Sequence, residues 1–130
     1  MKQEEHNEQV AVFAWAGREE ARYPELALLF AVPNGGRRDK ITGARLKAEG
    51  VKPGVPDIWW PVARGPYHGL VIELKADKGR PTPKQKAWLA ALEAQGWKVM
   101  VCVGAAAAVQ VIEWYAAGAE NSPDQFVKTS

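Results

Sequence analysis

The spacing of apolar positions predicts eight secondary-structure elements in the order α, β, α, β, β, α, β, α. Helical spacing, with apolar residues recurring every three or four positions, alternates with short apolar runs that are typical of strands. The helices are predicted over residues 5–16, 39–49, 83–95 and 105–117, and the strands over 26–32, 57–60, 69–75 and 98–103. The run 26–32 fits either a strand or a short helix that leads into one. This order predicts an α/β fold with a mixed central sheet flanked by helices.

Turn and cap residues set the limits of several of these elements. Gly50 stops the second helix, and Pro53–Pro56 (Pro-Gly-Val-Pro) then forces an extended or turning path directly before Asp57. Thr82 is a predicted N-cap, with Pro83 in the first helical position and Gln85 as the reciprocal partner of a capping box. The strands 57–60 and 69–75 are joined by a short loop, so we expect them to form an antiparallel pair.

Two packing predictions concern large apolar side chains. Trp59 and Trp60 are neighbours on one strand and must face opposite ways, so one should pack inward while a helix or a partner chain covers the other. The last helix is predicted to turn Val109, Ile112 and the pair Trp114–Tyr115 towards the interior.

Length and composition place the chain among ordinary globular domains. With 130 residues, 47% of them hydrophobic and 25% charged, it can bury one core and is too short for two. We expect one domain over residues 1–117 and a polar, flexible tail over 118–130. The polar start of the chain and the absence of a long apolar run predict a cytoplasmic protein. Cys102 lies in an apolar run, which favours a buried thiol over a catalytic one.

The charge distribution is uneven although the net charge is only +2. Six basic and two acidic residues lie between Gly35 and Val55, whereas residues 1–25 contain three basic and six acidic ones. This basic segment fits a phosphate-bearing partner and fits a solvated surface equally well. If the partner is DNA, the residues expected to contact its backbone are Asn34, Arg37, Arg38, Lys40 and Lys52.

The strand 69–75 carries the first candidate chemistry. Alternation places Glu73 and Lys75 on one face, which an edge strand facing water would also explain. Pairing with the strand that follows Asp57 would, however, bring that carboxylate beside Glu73. Two adjacent carboxylates repel unless a cation lies between them, and hard oxygen ligands suit Mg²⁺ or Mn²⁺. The pattern therefore predicts a divalent-metal site in which Lys75 orients a water or neutralises charge on a phosphate.

Two further polar residues have open roles. Glu8 could point towards the same pocket from the first helix, or lie at the surface with only its stem buried. Gln85 closes the capping box and also shares a helix face that should pack on the sheet. The two histidines lack ligand-spaced partners, which disfavours zinc, and no glycine-rich nucleotide loop occurs.

These residues together resemble the VRR-NUC family, the virus-type replication-repair nucleases of the PD-(D/E)xK superfamily. The resemblance covers about residues 4 to 116 and rests on five segments: Glu8-Gln9, Pro33–Gly36, Gly50–Asp57, Ile72–Lys75, and Gln85 with Trp88-Leu89. It implies a restriction-endonuclease-like core. It further implies that Asp57 and Glu73 bind the divalent ion with help from Glu8 and the Leu74 carbonyl, and that Lys75 and Gln85 complete the active site.

The resemblance also implies a substrate and an assembly. Stand-alone members are phage and bacterial proteins that act as homodimers on branched DNA, including four-way (Holliday) junctions, so the chain is expected to be a DNA-repair endonuclease of this kind. A nuclease that acts on flaps, nicks or ends would use the same site. In a different class, an inactive DNA-binding module would have no need of Asp57, Glu73 and Lys75 together.

Overall fold

The computed structural model describes residues 3–33 and 40–121, with side chains from residue 43 in the second range. Its elements are α1 (Gln3–Glu19), a short 3-10 helix (Pro24–Leu28), β1 (Phe30–Ala31), α2 (Lys40–Ala48), β2 (Ile58–Trp60), β3 (Leu70–Lys75), α3 (Pro83–Ala94), β4 (Lys98–Val103) and α4 (Ala105–Ala116). The predicted order of elements and the α/β class are confirmed. The ambiguous run 26–32 is a short helix that leads into a strand.

The four strands form one mixed sheet in the order β1-β2-β3-β4. β1, β2 and β3 pair antiparallel, as expected for the hairpin-like connection, and β3 pairs parallel with β4. The parallel pair is joined through α3, so α3 begins at the end of the sheet where β3 finishes. α4 follows β4 directly and begins at that same end. The carboxyl ends of β3 and β4 and the first turns of two helices therefore meet at one edge of the molecule.

The main core lies on one face of the sheet, beneath α1 and α4. Leu70, Ile72 and Leu74 of β3 belong to a buried cluster that also contains Val12 of α1 and Ile112 of α4. Because side chains alternate along a strand, Glu73 and Lys75 project from the opposite face. α3 packs on that face against β4. Every residue of β3 is buried, so the alternative of an edge strand that faces water is wrong.

The structure corrects the predicted face of the last helix. α4 buries Ala108, Val111, Ile112 and Tyr115, while the predicted Val109 and Trp114 are only half-buried. The four buried residues follow the i, i+3, i+4, i+7 spacing of one helical stripe. The prediction was drawn from the largest apolar side chains and overlooked that the small Ala108 lets the helix approach the sheet.

The two adjacent tryptophans divide as predicted, but the cover over one of them is different. Trp60 is fully buried, its ring centroid lies 5.6 Å from that of Tyr115 with the planes tilted, and its Nε1 donates to the Glu25 carbonyl at 2.7 Å. Trp59 is half-buried against Trp97, with ring centroids 5.2 Å apart and nearly perpendicular planes. Trp97, a residue of this chain in the turn before β4, thus supplies part of its cover.

The ends of the domain add three observations. Part of the predicted tail packs, since Ala119 is buried and the Glu120 carbonyl accepts a hydrogen bond from Trp114 Nε1 at 2.6 Å; residues 122–130 lie outside the described residues. Cys102 is fully buried, as predicted, and this burial raises the pKa of its thiol to about 12. None of the helices in the described ranges has the length and apolar character needed to cross a membrane.

Candidate active site

The loop that delivers Asp57 is fastened to α3. Trp88 Nε1 donates to the Pro53 carbonyl at 3.1 Å. Gly54 has a φ of 83°, and a Cβ at this position would lie 2.9 Å from Lys84 Cβ. Glycine is therefore required both by the backbone conformation and by the close approach to the helix. The loop has little freedom, which fixes the position from which Asp57 enters the sheet.

Asp57, the residue directly before β2, lies opposite Glu73 on the neighbouring strand β3. Ile58 pairs with Ile72, so the antiparallel register continues to place Asp57 opposite Glu73. Asp57 Oδ2 accepts a hydrogen bond from the Leu74 amide at 2.9 Å. Both carboxyl groups are buried, with 4% of Asp57 and 1% of Glu73 exposed. The predicted convergence of these two residues is present in the structure.

Burial of this pair perturbs the ionisation of Glu73. Burial, followed by the negative charge of Asp57, raises the pKa of Glu73 to about 8 from an ordinary value of 4.5, and Lys75 opposes the shift only in part. Both Glu73 carboxylate oxygens are shielded from solvent without a hydrogen bond of good geometry in the described part of the chain; the Lys75 ammonium lies 3.0 Å from Oε2. A buried carboxyl group whose oxygens accept no hydrogen bond is costly to ionise. A cation bound to these oxygens would therefore favour the charged form.

Lys75 is held between the sheet and the loop that follows it. Its carbonyl accepts from the Gly104 amide at 2.9 Å, which ties the end of β3 to the turn before α4. A Cβ on Gly79 would lie 3.3 Å from Lys75 Cβ, so the loop packs closely on the lysine stem. Only 6% of Lys75 is exposed. Its ammonium is therefore confined beside Glu73, where it can orient a water or meet charge that develops on a phosphate.

Glu8 approaches the same end of the sheet but has another partner. Glu8 Oε2 accepts a hydrogen bond from the Ala105 amide, the first amide of α4. The N-cap residue of α4 is Gly104, which offers no side-chain cap. A carboxylate at a helix N-terminus satisfies an otherwise unpaired amide and interacts favourably with the helix dipole. This contact was not predicted, although the lack of a polar N-cap residue before Ala105 is a sequence signal for it.

Gln85 forms the predicted capping box. The side-chain oxygen Oε1 of Gln85 accepts a hydrogen bond from the Thr82 backbone amide at 2.8 Å. The backbone amide of Gln85 donates to Thr82 Oγ1 at 3.2 Å. These contacts fix the first turn of α3 at the site's edge of the sheet. They leave the side-chain nitrogen of Gln85 outside the box.

The predicted DNA contacts divide between described and undescribed residues. Lys52 is exposed on the loop before Asp57. Asn34, Arg37 and Arg38, together with the side chain of Lys40, lie outside the described residues.

The donor set fits a divalent ion, with the two buried carboxyl groups at its centre. Within residues 3–33 and 40–121, no group of three His, Cys, Asp or Glu side chains converges as a ready metal site. A bound ion would therefore take Asp57 and Glu73 together with backbone or water oxygens, a set that suits Mg²⁺ or Mn²⁺. The chemistry such a site can perform is hydrolysis assisted by a metal ion and a neighbouring ammonium group.

The comparisons with known proteins agree with this geometry. The model of the VRR-NUC domain family matches residues 5–106. A solved structure described as a VRR_NUC domain protein is 30% identical, covers 91% of this chain and 92% of that chain, and superposes with a TM-score of 0.77. No curated protein matches. The matched region contains nearly all of α1, the Asp57 loop, the Glu73-Leu74-Lys75 strand and the start of α4. The chain belongs to the VRR-NUC family of PD-(D/E)xK nucleases.

Proposed function

We propose that this protein is a Mg²⁺- or Mn²⁺-dependent endonuclease that hydrolyses phosphodiester bonds in branched DNA, with four-way (Holliday) junctions as the expected substrate and DNA repair as its role. The observation that carries the catalytic part is the buried pair of Asp57 and Glu73 with Lys75 beside it. A protein that only bound DNA would gain nothing from two adjacent buried carboxyl groups, which make the fold less stable whenever both are ionised.

We assign the metal ligands to the Asp57 and Glu73 carboxylates and the Leu74 carbonyl. The Leu74 amide points to Asp57, and the N–H and C=O of one strand residue point to the same neighbouring strand, which supports this assignment. Glu8 would assist through the carboxylate oxygen that Ala105 does not engage. When bound, the ion would polarise the scissile phosphate and lower the pKa of a coordinated water.

The remaining site residues act on the water and on the phosphate. Lys75 would hold the attacking water or stabilise negative charge on the phosphate, since its ammonium is confined 3.0 Å from Glu73 Oε2. Gln85 would contribute its side-chain nitrogen as a hydrogen-bond donor. Contacts from Asn34, Arg37, Arg38, Lys40 and Lys52 would hold backbone phosphates next to the site.

The preference for branched DNA and the homodimer rest on the family resemblance. A two-fold dimer would present two active sites to two of the four strands of a junction. A nuclease that acts on flaps, nicks or ends is the alternative within the same chemistry.

The substrate proposal is tested with a labelled four-way junction, a flap, a nicked duplex and a linear duplex of shared sequence, each incubated with Mg²⁺. We expect paired, symmetric cuts in the junction and little cleavage of the linear duplex. Preferred cutting of the flap, nick or ends would keep the nuclease and overturn the junction assignment. The mass of the protein in light scattering, alone and with the junction, tests the dimer in the same samples.

A further inference from the structure

A group of exposed cations follows the site along the chain. Between Ala76 and Lys86 the sequence carries four basic residues and a single acidic one, Asp77. All four basic side chains are exposed. We call this group the basic rim, and its members are Lys78, Arg80, Lys84 and Lys86.

Two close contacts place Lys78, Arg80 and Lys84 next to the segments that carry the site, and Lys86 follows Lys84 on α3. A Cβ on Gly79 would lie 3.3 Å from Lys75 Cβ, so Lys78 and Arg80 flank a residue in contact with the catalytic lysine. Lys84 backs onto Gly54 in the loop that delivers Asp57. The rim therefore borders both strands that carry the site.

The rim is unfavourable for the stability of the isolated domain. Lys84 lies in the first turn of α3, which contains no acidic residue, although the helix dipole favours negative charge there. Lys78 has a φ of 66°, a left-handed conformation that costs about 1 kcal/mol for a residue with a Cβ. In the described part of the chain none of the four rim side chains forms an ion pair, since the recorded pairs are Arg64–Glu25 and Lys75–Glu73. Cations placed against the dipole and without partners favour an anion that comes from outside.

We propose that the basic rim binds the backbone phosphates adjacent to the one that is cut. This inference rests on the proposed function and extends the DNA contact surface to the side of the site that follows Lys75 in the chain. Exposed lysine and arginine side chains bind phosphates in any sequence, and each contact releases counterions from the DNA. The rim would thus hold the cleaved strand on the α3 side of Glu73 and Lys75.

The test compares two double variants that remove the same charge. Lys78→Gln with Arg80→Gln neutralises half of the rim, and Arg18→Gln with Arg22→Gln is the control. Arg18 lies ten residues along α1 from Glu8, which is about 15 Å at the rise of an α-helix. Binding of a labelled linear duplex and a labelled junction is measured in EDTA by fluorescence anisotropy over a range of KCl concentrations.

The rim variant should bind at least about tenfold more weakly, and the slope of log Kd against log salt should become shallower by about two, or about 0.9 per lost phosphate contact. The control should keep a slope within about half a unit of wild type. An unchanged slope in the rim variant, or equal changes of slope in both variants, would overturn the proposal that the basic rim binds DNA phosphates. Wild-type cleavage with Mg²⁺, run in parallel, separates this failure from failure of the nuclease itself.

A measurement on the wild-type protein checks the same contacts without any variant. Once the cut position is mapped, the phosphates on either side of it are replaced by uncharged methylphosphonates. A loss of cleavage efficiency when one or both positions are modified supports phosphate binding by the basic rim. If the same modification costs the Lys78→Gln, Arg80→Gln variant less efficiency than it costs wild type, the lost contacts are those of these two residues. Full efficiency on both modified substrates would contradict the proposal.

Discussion

Replacing Glu73 by Gln should make the metal-free protein more stable while it removes the nuclease. Without a cation the site holds Asp57, Glu73 and Lys75, so ionisation of Glu73 would place two buried negative groups beside one positive group. Glutamine has almost the shape of a protonated glutamate, and it leaves Asp57 and Lys75 balanced. The variant therefore reproduces the neutral form that burial already favours.

The magnitude and its sign follow from the ionisation of Glu73. Its pKa lies at about 8 in the folded protein and at an ordinary value of 4.5 when exposed. Because the folded-state pKa lies above the unfolded value, folding favours the protonated form of Glu73. The contribution of this group to stability is fully present below pH 4.5 and is lost as the pH rises through about 8. At about 1.4 kcal/mol per pKa unit the loss has an upper limit of about 5 kcal/mol. Glu73→Gln does not titrate and escapes this loss.

The assay is urea unfolding in EDTA at several pH values between 5 and 8. The two proteins should have similar stability at pH 5, and the variant should exceed wild type by several kcal/mol at pH 8. Saturating Mg²⁺ should raise the stability of wild type and leave the variant unchanged. Glu93→Gln, the same chemical change at an exposed position on α3, is the matched control. Parallel pH profiles for wild type and Glu73→Gln would refute the reasoning.

Three further predictions address other residues. Glu8→Gln keeps an oxygen for the first amide of α4 but loses the charge. If Glu8 is a metal ligand, calorimetry should show weaker Mg²⁺ binding with little change in the free energy of unfolding. Unchanged Mg²⁺ binding would mean that Glu8 only caps the helix, and Glu8→Ala should then lower stability by about 1 kcal/mol. Lys75→Met should lower single-turnover cleavage by orders of magnitude with Mg²⁺ binding retained, and normal cleavage would exclude its role. Gly69→Ala places a Cβ inside the contact distance of the Trp97 ring and should cost about 1–3 kcal/mol in urea unfolding. Gly17→Ala, with open space around it, should cost nothing, and equal effects would contradict this packing argument.

The features predicted well from the sequence are those that depend on neighbouring residues. The capping box of Thr82 and Gln85 is a local exchange of hydrogen bonds, and the structure shows both of them. The pairing of Asp57 with Glu73 depended on one short connection between two strands. In each case the partners are close in sequence, so pattern and spacing were sufficient.

The features that were missed depend on contacts between distant segments. Glu8 and Ala105 lie 97 residues apart, and no local pattern links them. The contact of Trp59 with Trp97, whose ring packs closely on Gly69, likewise joins separate segments. The face that α4 buries includes the small Ala108, which the apolar pattern did not single out. The cations after Lys75 were visible in the sequence, but only the helix cap at Thr82–Gln85 was interpreted in that segment.

The most direct test of the active site is strand cleavage by wild type and Glu73→Gln on one labelled junction, with Mg²⁺, with Mn²⁺ and with EDTA. The glutamine variant should fold at least as well as wild type in the absence of metal, so a loss of cleavage cannot be attributed to unfolding. We expect cleavage by wild type with either metal, none in EDTA, and none by the variant under any condition. Cleavage in EDTA, or cleavage by Glu73→Gln at the wild-type rate, would contradict a metal-dependent site built on Asp57, Glu73 and Lys75.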